Sequence, residues 1–133
     1  MPKKKPVIAI VVVDDDESVR EAIMSLMRAV GFATEAYPCA EDFLTSGRLQ
    51  RTSCLIADVR MPGMSGLELH HRLVLSGNPI PTVLITGHPD DGARARALQA
   101  GIIGYLTKPF DDDDLLGCIR SVFDHRKKDG TGS

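Results

Sequence analysis

The stretch of sequence that decides the fold is VIAIVVVDDDESVR, residues 7–20. It opens with a continuous apolar run that is rich in β-branched side chains and ends in three aspartates. So short a run favours a strand covered on both faces over a segment of buried helix. From Val19 the apolar residues recur at helical spacing as far as Val30, and Gly31 follows as a stop signal. The stretch therefore predicts a buried strand followed by a helix.

The same alternation continues to the end of the chain. Further strands are predicted at residues 33–37, 54–57, 82–85 and 102–106, and further helices at residues 41–46, 66–76, 93–100 and from 111 onward. Parallel strands need crossover connections, which are usually helical and right-handed. Strands and helices in alternation therefore predict an α/β fold, with one parallel sheet covered on both faces.

Length and composition indicate one ordinary globular domain. The chain has 133 residues, of which 43% are hydrophobic and 26% charged, and a net charge of −2 gives no basic field for binding nucleic acid. Three cysteines without a CxxC pair argue against a disulfide framework and a zinc site, so we expect a cytoplasmic protein. The basic N-terminus lacks a cleavage site, and no apolar run approaches the roughly 20 residues of a membrane span.

Polar residues follow four of the five predicted strands. They are Asp14, Asp15 and Asp16 after the first strand, Asp58 after the third, Thr86 after the fourth and Lys108 after the fifth. In open α/β sheets these strand ends meet at one edge, where ligands bind. Carboxylates about 4 Å apart repel by several kcal/mol, so such a cluster needs a proton or a hard cation such as Mg²⁺. The set predicts phosphoryl transfer to an aspartate, with the amine and the hydroxyl offsetting charge on the phosphoryl oxygens.

Each of these residues also has a purely structural interpretation. An acid after a strand is often only the N-cap of the next helix, and Asp in a turn is ordinary. A threonine at a strand end and a lone lysine are more often structural than functional. We assign the four aspartates at residues 111–114 as the cap and solvated first turn of the last helix. The hypothesis of a functional site therefore rests on the joint occurrence of the residues.

Four ordered motifs carry a family resemblance. They are VVDDDESVR at residues 12–20, DVRMPGMSGLEL at 58–69, ITGH at 85–88 and YLTKPF at 105–110. Together they resemble the receiver domain of two-component response regulators, and most nearly that of FixJ-type transcription factors. The resemblance implies a flavodoxin-like or CheY-like doubly wound fold with strand order 2-1-3-4-5. The receiver domain would span residues 7–125, between a basic tail at 1–6 and a linker start or added tail at 126–133.

The resemblance implies a phosphoacceptor and a metal site. By position in the motifs, Asp58 would accept the phosphoryl group. Asp15, Asp58 and the backbone carbonyl of Arg60 would hold Mg²⁺, and Asp14 would reach the ion through water. The domain would then catalyse its own phosphorylation and dephosphorylation as a signalling phosphoacceptor, and would not be an enzyme in the usual sense.

The resemblance also implies a switch. Lys108, joined to Pro109 by a cis peptide bond, would bind the phosphoryl group. Thr86 would swing toward that group as a catalytic and switch residue, and Tyr105 would follow it inward. His88, two residues beyond Thr86, is a candidate modulator of aspartyl-phosphate hydrolysis.

The partners implied are a sensor histidine kinase as phosphoryl donor and a second copy of the chain. The homodimer would form on phosphorylation through the fourth helix and fifth strand, as part of a signalling face that also includes the fifth helix. DNA would be contacted only through a separate output domain, since no helix-turn-helix pattern follows Phe123. No membrane partner is expected.

Two other functions are open at this stage. One is a haloacid-dehalogenase-like phosphatase, in which Asp14 is the nucleophile and Asp16 the acid/base. The chain is short for that family, and Asp58 with its Pro-Gly loop would have no role. The other is an interaction module that keeps the fold without being phosphorylated. The position of an acyl phosphate separates the first from a receiver, and the absence of labelling identifies the second.

Overall fold

The computed structural model describes residues 9–130, with side chains described as far as Asp124. Strands and α-helices alternate along this range, as the sequence predicts. The strands are β1 (Ile10–Val13), β2 (Thr34–Tyr37), β3 (Cys54–Asp58), β4 (Thr82–Thr86) and β5 (Gly104–Thr107), and the helices are α1 (Glu17–Ala29), α2 (Ala40–Leu44), α3 (Gly66–Leu75), α4 (Asp91–Gln99) and α5 (Asp112–Gly130). A 3₁₀ turn at Leu49–Arg51, which the pattern did not predict, precedes β3.

All neighbouring strands are parallel, in the order β2-β1-β3-β4-β5. The predicted 2-1-3-4-5 order is therefore confirmed. The chain leaves β1 toward β2 on one side and returns to place β3 on the other. Val13 pairs with Ala57 in the register of β1 and β3, so the residues that follow them, Asp14 and Asp58, end adjacent strands. Ligands bind at such a switch in strand order.

The sheet separates two apolar layers. Val11 and Val13 of β1 belong to a cluster with residues of α2, α3 and α4, whereas Ile10 and Val12 belong to a cluster with residues of α1 and α5. Alternate side chains of a strand point to opposite faces, so a strand covered on both faces needs apolar residues at every position. This requirement explains the continuous apolar run of β1. Among the described residues, no helix is both long and apolar enough to cross a bilayer.

The fifth strand starts later than predicted, whereas the predicted first helix is confirmed but leaves the end of its apolar stripe exposed. Ile102 and Ile103 were predicted to open the fifth strand, but β5 begins at Gly104. Ile102 lies in the loop before β5 but is still buried, because a loop residue can fill the core as a strand residue does. The α1 stripe is only partly covered: Ile23 and Met27 are buried, whereas Val30 is 40% exposed.

The predictions for the two ends of the chain are only partly covered by the described residues. Residues 1–8, which include the predicted basic tail and the start of the predicted first strand, lie outside the described residues. The four aspartates at residues 111–114 are exposed at the start of α5, as expected of a solvated first turn. The backbone of α5 runs on to Gly130, so the boundary predicted at residue 125 falls within a helix.

Gly66 begins α3 against the end of β3. A Cβ atom at this position would lie 2.5 Å from the backbone oxygen of Asp58 and 2.9 Å from Cδ2 of Leu84. Because the backbone cannot yield as a flexible side chain does, Gly66→Ala must push α3 away from the strand end that carries Asp58. We expect chemical denaturation to show a loss of about 1–3 kcal/mol in the free energy of unfolding.

The matched control is Gly117→Ala. Gly117 is exposed in α5 with open space around its Cα, so alanine there is expected to add about 0.5–1 kcal/mol through better helix propensity. Equal effects of the two substitutions would contradict the close approach at Gly66.

Candidate functional site

A lysine and two aspartates from three strand ends meet at the carboxyl edge of the sheet. Lys108 Nζ donates to Asp14 Oδ2 and to Asp58 Oδ2, each at 3.2 Å. The Asp14 side chain is fully buried and that of Asp58 is 10% exposed, while the lysine side chain is 23% exposed. The bond between Lys108 and the following proline is cis, as predicted. The parallel topology thus joins residues that are far apart in the chain at one charged centre.

The charges of this centre do not cancel. Burial raises the pKa of Asp14, and the Asp58 carboxylate raises it further, while hydrogen bonds from the Asp16 amide and Lys108 lower it. Burial lowers the pKa of Lys108, but the two carboxylates outweigh burial and leave it raised. The lysine therefore remains charged, and its single positive charge faces two carboxylates. The site favours a further cation.

The three consecutive aspartates have different environments. Asp16 is the N-cap of α1, where its side chain accepts from the Ser18 and Val19 amides. The Ser18 hydroxyl and these amides lower the pKa of Asp16, which is the opposite of what an acid/base group at neutral pH requires. The N-cap interpretation thus holds for Asp16. It does not apply to Asp14, which is buried and bound to Lys108.

The donor set fits a hard divalent cation. Asp14, Asp15 and Asp58 each offer a carboxylate oxygen, and these oxygens all lie within 4.8 Å of one another. Oxygen-only ligands with a surplus of negative charge suit Mg²⁺ and similar ions better than soft metals. The Arg60 amide donates to Asp58 Oδ1 at 3.3 Å, which keeps the backbone of residue 60 beside this cluster.

The loop after Asp58 ends in a capping box. The Ser65 hydroxyl accepts from the Glu68 amide at 3.1 Å, and the Glu68 carboxylate accepts from the Ser65 amide at 2.8 Å. This capping box was not predicted from the sequence, although a serine followed three residues later by a glutamate is its usual signature. The box fixes the start of α3 and so the return of the loop to the sheet.

Thr86 is buried at the end of β4, but its hydroxyl is bonded within its own loop. Thr86 Oγ1 accepts from the His88 amide at 3.0 Å, and the Thr86 carbonyl accepts from the Lys108 amide at 2.7 Å. The His88 side chain is exposed, and Tyr105 is half-buried against the apolar layer of α3 and α4. The structure thus brings Asp14, Asp15, Asp58 and Lys108 together, and it places Thr86 at the end of β4, His88 in the loop that follows and Tyr105 within β5.

The parallel sheet of this order, with clustered acids and a lysine at its carboxyl edge, defines the receiver class of signalling domain. Residues 10–120 match the family described as "Response regulator receiver domain". The chain belongs to that family. The sequence-based identification is confirmed, and the phosphatase and the inert module are not favoured.

Relatives and solved structures agree on the same group. The response regulator protein TmoT of Ectopseudomonas mendocina is 44% identical over 113 residues, which are 85% of this chain and 51% of TmoT. The transcriptional regulatory protein FixJ of Azorhizobium caulinodans is 35% identical over 98% of this chain and 60% of its own. The structure of the response regulator StyR has a TM-score of 0.81 and 41% identity, covering 93% of this chain and 65% of StyR. The chain spans about half the length of the curated relatives it matches.

The raised pKa of Asp14 gives a prediction for stability in the absence of divalent cations. Because folding raises this pKa, the contribution of Asp14 is most favourable below the unfolded pKa and is lost as pH rises through the folded pKa. Asp14→Asn keeps the shape and an acceptor for the Asp16 amide but removes this loss. We expect its melting temperature at neutral pH to exceed that of the wild type by about 2–4 °C.

Calorimetry in a chelating buffer measures the effect. The melting temperature of Asp14→Asn should also depend less on pH above about pH 4, where the wild type loses this contribution. Glu21→Gln, at an exposed position of α1, is the control, and its melting temperature should equal that of the wild type. A melting temperature of Asp14→Asn at or below that of the wild type would show that Lys108 compensates the buried charge fully.

Proposed function

We propose that this receiver domain accepts a phosphoryl group on Asp58, beside a bound Mg²⁺ ion, and transmits the change to the face formed by α4, β5 and α5. The observation that carries the proposal is the position of Lys108 Nζ, 3.2 Å from the carboxylates of both Asp14 and Asp58. An ammonium group between buried carboxylates can follow negative charge onto a phosphoryl group without leaving the site.

The Asp58 carboxylate is held for attack by groups on both of its oxygens. Oδ1 accepts from the Arg60 amide and Oδ2 from Lys108. In the proposed step a carboxylate oxygen forms a bond to phosphorus, the bond from phosphorus to the donor's imidazole nitrogen breaks, and the electron pair stays on that nitrogen. Asp14, Asp15, Asp58 and the Arg60 carbonyl would hold the Mg²⁺, which when bound neutralises charge on the phosphoryl oxygens.

The proposed donor is a phosphohistidine of a sensor kinase. It must bring its phosphorus to Asp58, and an apolar groove of about 430 Å³ lies beside Lys108. The groove is lined by one side of α1, including Val19, Ala22 and Leu26, and by Pro109 and Phe110. The fold leaves Val19, Ala22 and Leu26 of the α1 stripe unburied in this groove, whereas Val30 lies outside it. A kinase helix with an apolar face would fill the groove and place its histidine near the acidic cluster.

The proposed switch begins at the Thr86 hydroxyl. One neutral hydrogen bond from the His88 amide holds it, worth about 0.5–1.5 kcal/mol, and a bond to a charged phosphoryl oxygen is roughly twice as strong. Exchange of one bond for the other favours movement toward Asp58. Reversal of a 1:99 equilibrium needs about 5.5 kcal/mol, so Lys108 and the half-buried Tyr105 must contribute as well. His88, which holds the hydroxyl and exposes its imidazole, is the proposed modulator of phosphate loss.

The proposed output face is lightly packed. Ala97 is the only buried residue within α4, whereas Leu98 is 44% exposed and Ile103, just before β5, is 39% exposed. Exposed apolar residues beside the proposed switch suit self-association on phosphorylation. The transcriptional regulatory protein FixJ of Azorhizobium caulinodans is matched over only 60% of its length, so a separate DNA-binding domain is the proposed effector. A reducing cytoplasm suits the free thiols of Cys39, Cys54 and Cys118.

Intact mass and peptide mapping after incubation with acetyl phosphate and Mg²⁺ test the phosphoacceptor. We expect one added phosphoryl group, located on Asp58, in the wild type and none in Asp58→Asn. Asp42→Asn, at an exposed position of α2, is the control and should be labelled like the wild type. Label on Asp14 would instead support the phosphatase, and no label on the wild type would support the inert module.

Thr86→Val tests the switch separately from phosphorylation. Valine keeps the shape of the buried threonine and removes the hydroxyl, so we expect Asp58 labelling to persist. Light scattering should show the phosphorylated wild type doubling in mass while phosphorylated Thr86→Val remains monomeric. A wild type that stays monomeric when fully phosphorylated would contradict the proposed dimer, and a variant that dimerises equally would contradict the role of the hydroxyl.

A further inference from the structure

Arg20 is a charged residue of α1 that reaches back to the acidic loop. Its Nη1 atom donates to the backbone carbonyl of Asp14 at 2.7 Å. This distance is at the short end of the range for a charge-assisted hydrogen bond. The bond joins the second turn of α1 to the peptide that follows Asp14.

The carbonyl group that Arg20 binds lies beyond the sheet. The ladders from β1 to β2 and to β3 both end at Val13, although the Asp14 amide still donates to the Tyr37 carbonyl at 3.2 Å. A carbonyl group at this depth needs a donor, because Asp14 is fully buried. The guanidinium of Arg20 supplies that donor in place of a strand.

The bond fixes the peptide plane between Asp14 and Asp15. The Asp14 side chain has its own partners, the Asp16 amide at 2.8 Å and Lys108 at 3.2 Å. Asp15 is exposed, and the hydrogen bonds found among the described residues include none to its carboxylate, so its position depends on the backbone. A change in the plane of the shared peptide would move the Asp15 carboxylate relative to Asp14 and Asp58.

We propose that Arg20 is a positioning residue for the cation site, acting through the peptide between Asp14 and Asp15. The inference rests on the proposed function, in which these two aspartates hold Mg²⁺. A simple charge effect has the opposite sign, because a guanidinium near the site repels a divalent cation and its removal should strengthen binding. Positioning requires that its removal weaken binding.

Calorimetric titration of the full chain with Mg²⁺ alone separates the two effects. Arg20→Met keeps much of the aliphatic stem and removes the donor, and we expect it to raise the dissociation constant about tenfold, as loss of an outer-shell partner of metal ligands typically does. The control is Arg28→Met, which removes the same charge from an exposed position at the other end of α1. We expect its dissociation constant to match that of the wild type.

Amide hydrogen exchange of the metal-free protein gives a second readout. The Asp16 amide donates to Asp14 Oδ1, so a loosened loop should exchange this hydrogen faster in Arg20→Met than in Arg28→Met. If Arg20→Met fails to fold by circular dichroism, Arg20→Lys replaces it. Lysine keeps the charge without the planar donor, so a weaker Mg²⁺ affinity is again expected.

The possible results distinguish failure of the positioning role of Arg20 from failure of the proposed Mg²⁺ site. If the wild type binds Mg²⁺ and the folded Arg20 variant binds it equally or more tightly, the positioning role is overturned and the proposed function stands. If the wild type does not bind Mg²⁺, the proposed metal site fails and the role of Arg20 fails with it.

Discussion

The contact on which the rest of the structure depends is the one between the Lys108 ammonium group and the carboxylates of Asp14 and Asp58. Two ionised carboxylates about 4 Å apart repel by roughly 4 kcal/mol at an effective dielectric near 20. Burial adds to that cost, since charged groups lose water. The raised pKa of Asp14 shows that the lysine offsets the cost only in part. The fold therefore retains excess negative charge at the carboxyl edge of the sheet, where ligands bind in open α/β folds.

Strand order explains how so unfavourable a cluster comes to exist. β1 and β3 are neighbours, so Asp14 and Asp58 end adjacent strands, and β5 delivers Lys108 from the edge of the sheet. Close packing then limits how far the centre can relax, because Gly66 leaves no room between α3 and the Asp58 carbonyl. The stability that maintains this arrangement comes from the two apolar layers, at a distance from the charges they hold together.

Sequence patterns predicted the features that depend on burial and strand order. The apolar run ending at Val13 predicted a strand correctly because both faces of β1 are covered. The rule that ligands bind at the carboxyl ends of parallel strands predicted that Asp14, Asp58 and Lys108 lie together. Burial also misled, since Ile102 fills the core from a loop. A sequence pattern cannot distinguish three adjacent aspartates. Their environments differ because Asp14 follows β1 in register and binds Lys108, whereas Asp16 is the N-cap of α1. The hydrogen bond from Arg20 to the Asp14 carbonyl depends on the direction of a polar side chain, which the spacing of apolar residues does not predict.

Stability is distributed unevenly around the sheet. α3 begins in a capping box and carries the buried His70, whose Nδ1 lies 3.2 Å from Thr82 Oγ1 and whose Nε2 lies 3.2 Å from the Ala100 carbonyl. His70 thus ties the end of α4 to the rest of the fold. The start of α4 has only an exposed cap at Asp90, close in sequence to Thr86. Residues 87–92, which lead from Thr86 into α4, are all exposed, so this segment can open locally at a lower free-energy cost than the buried strands beside it.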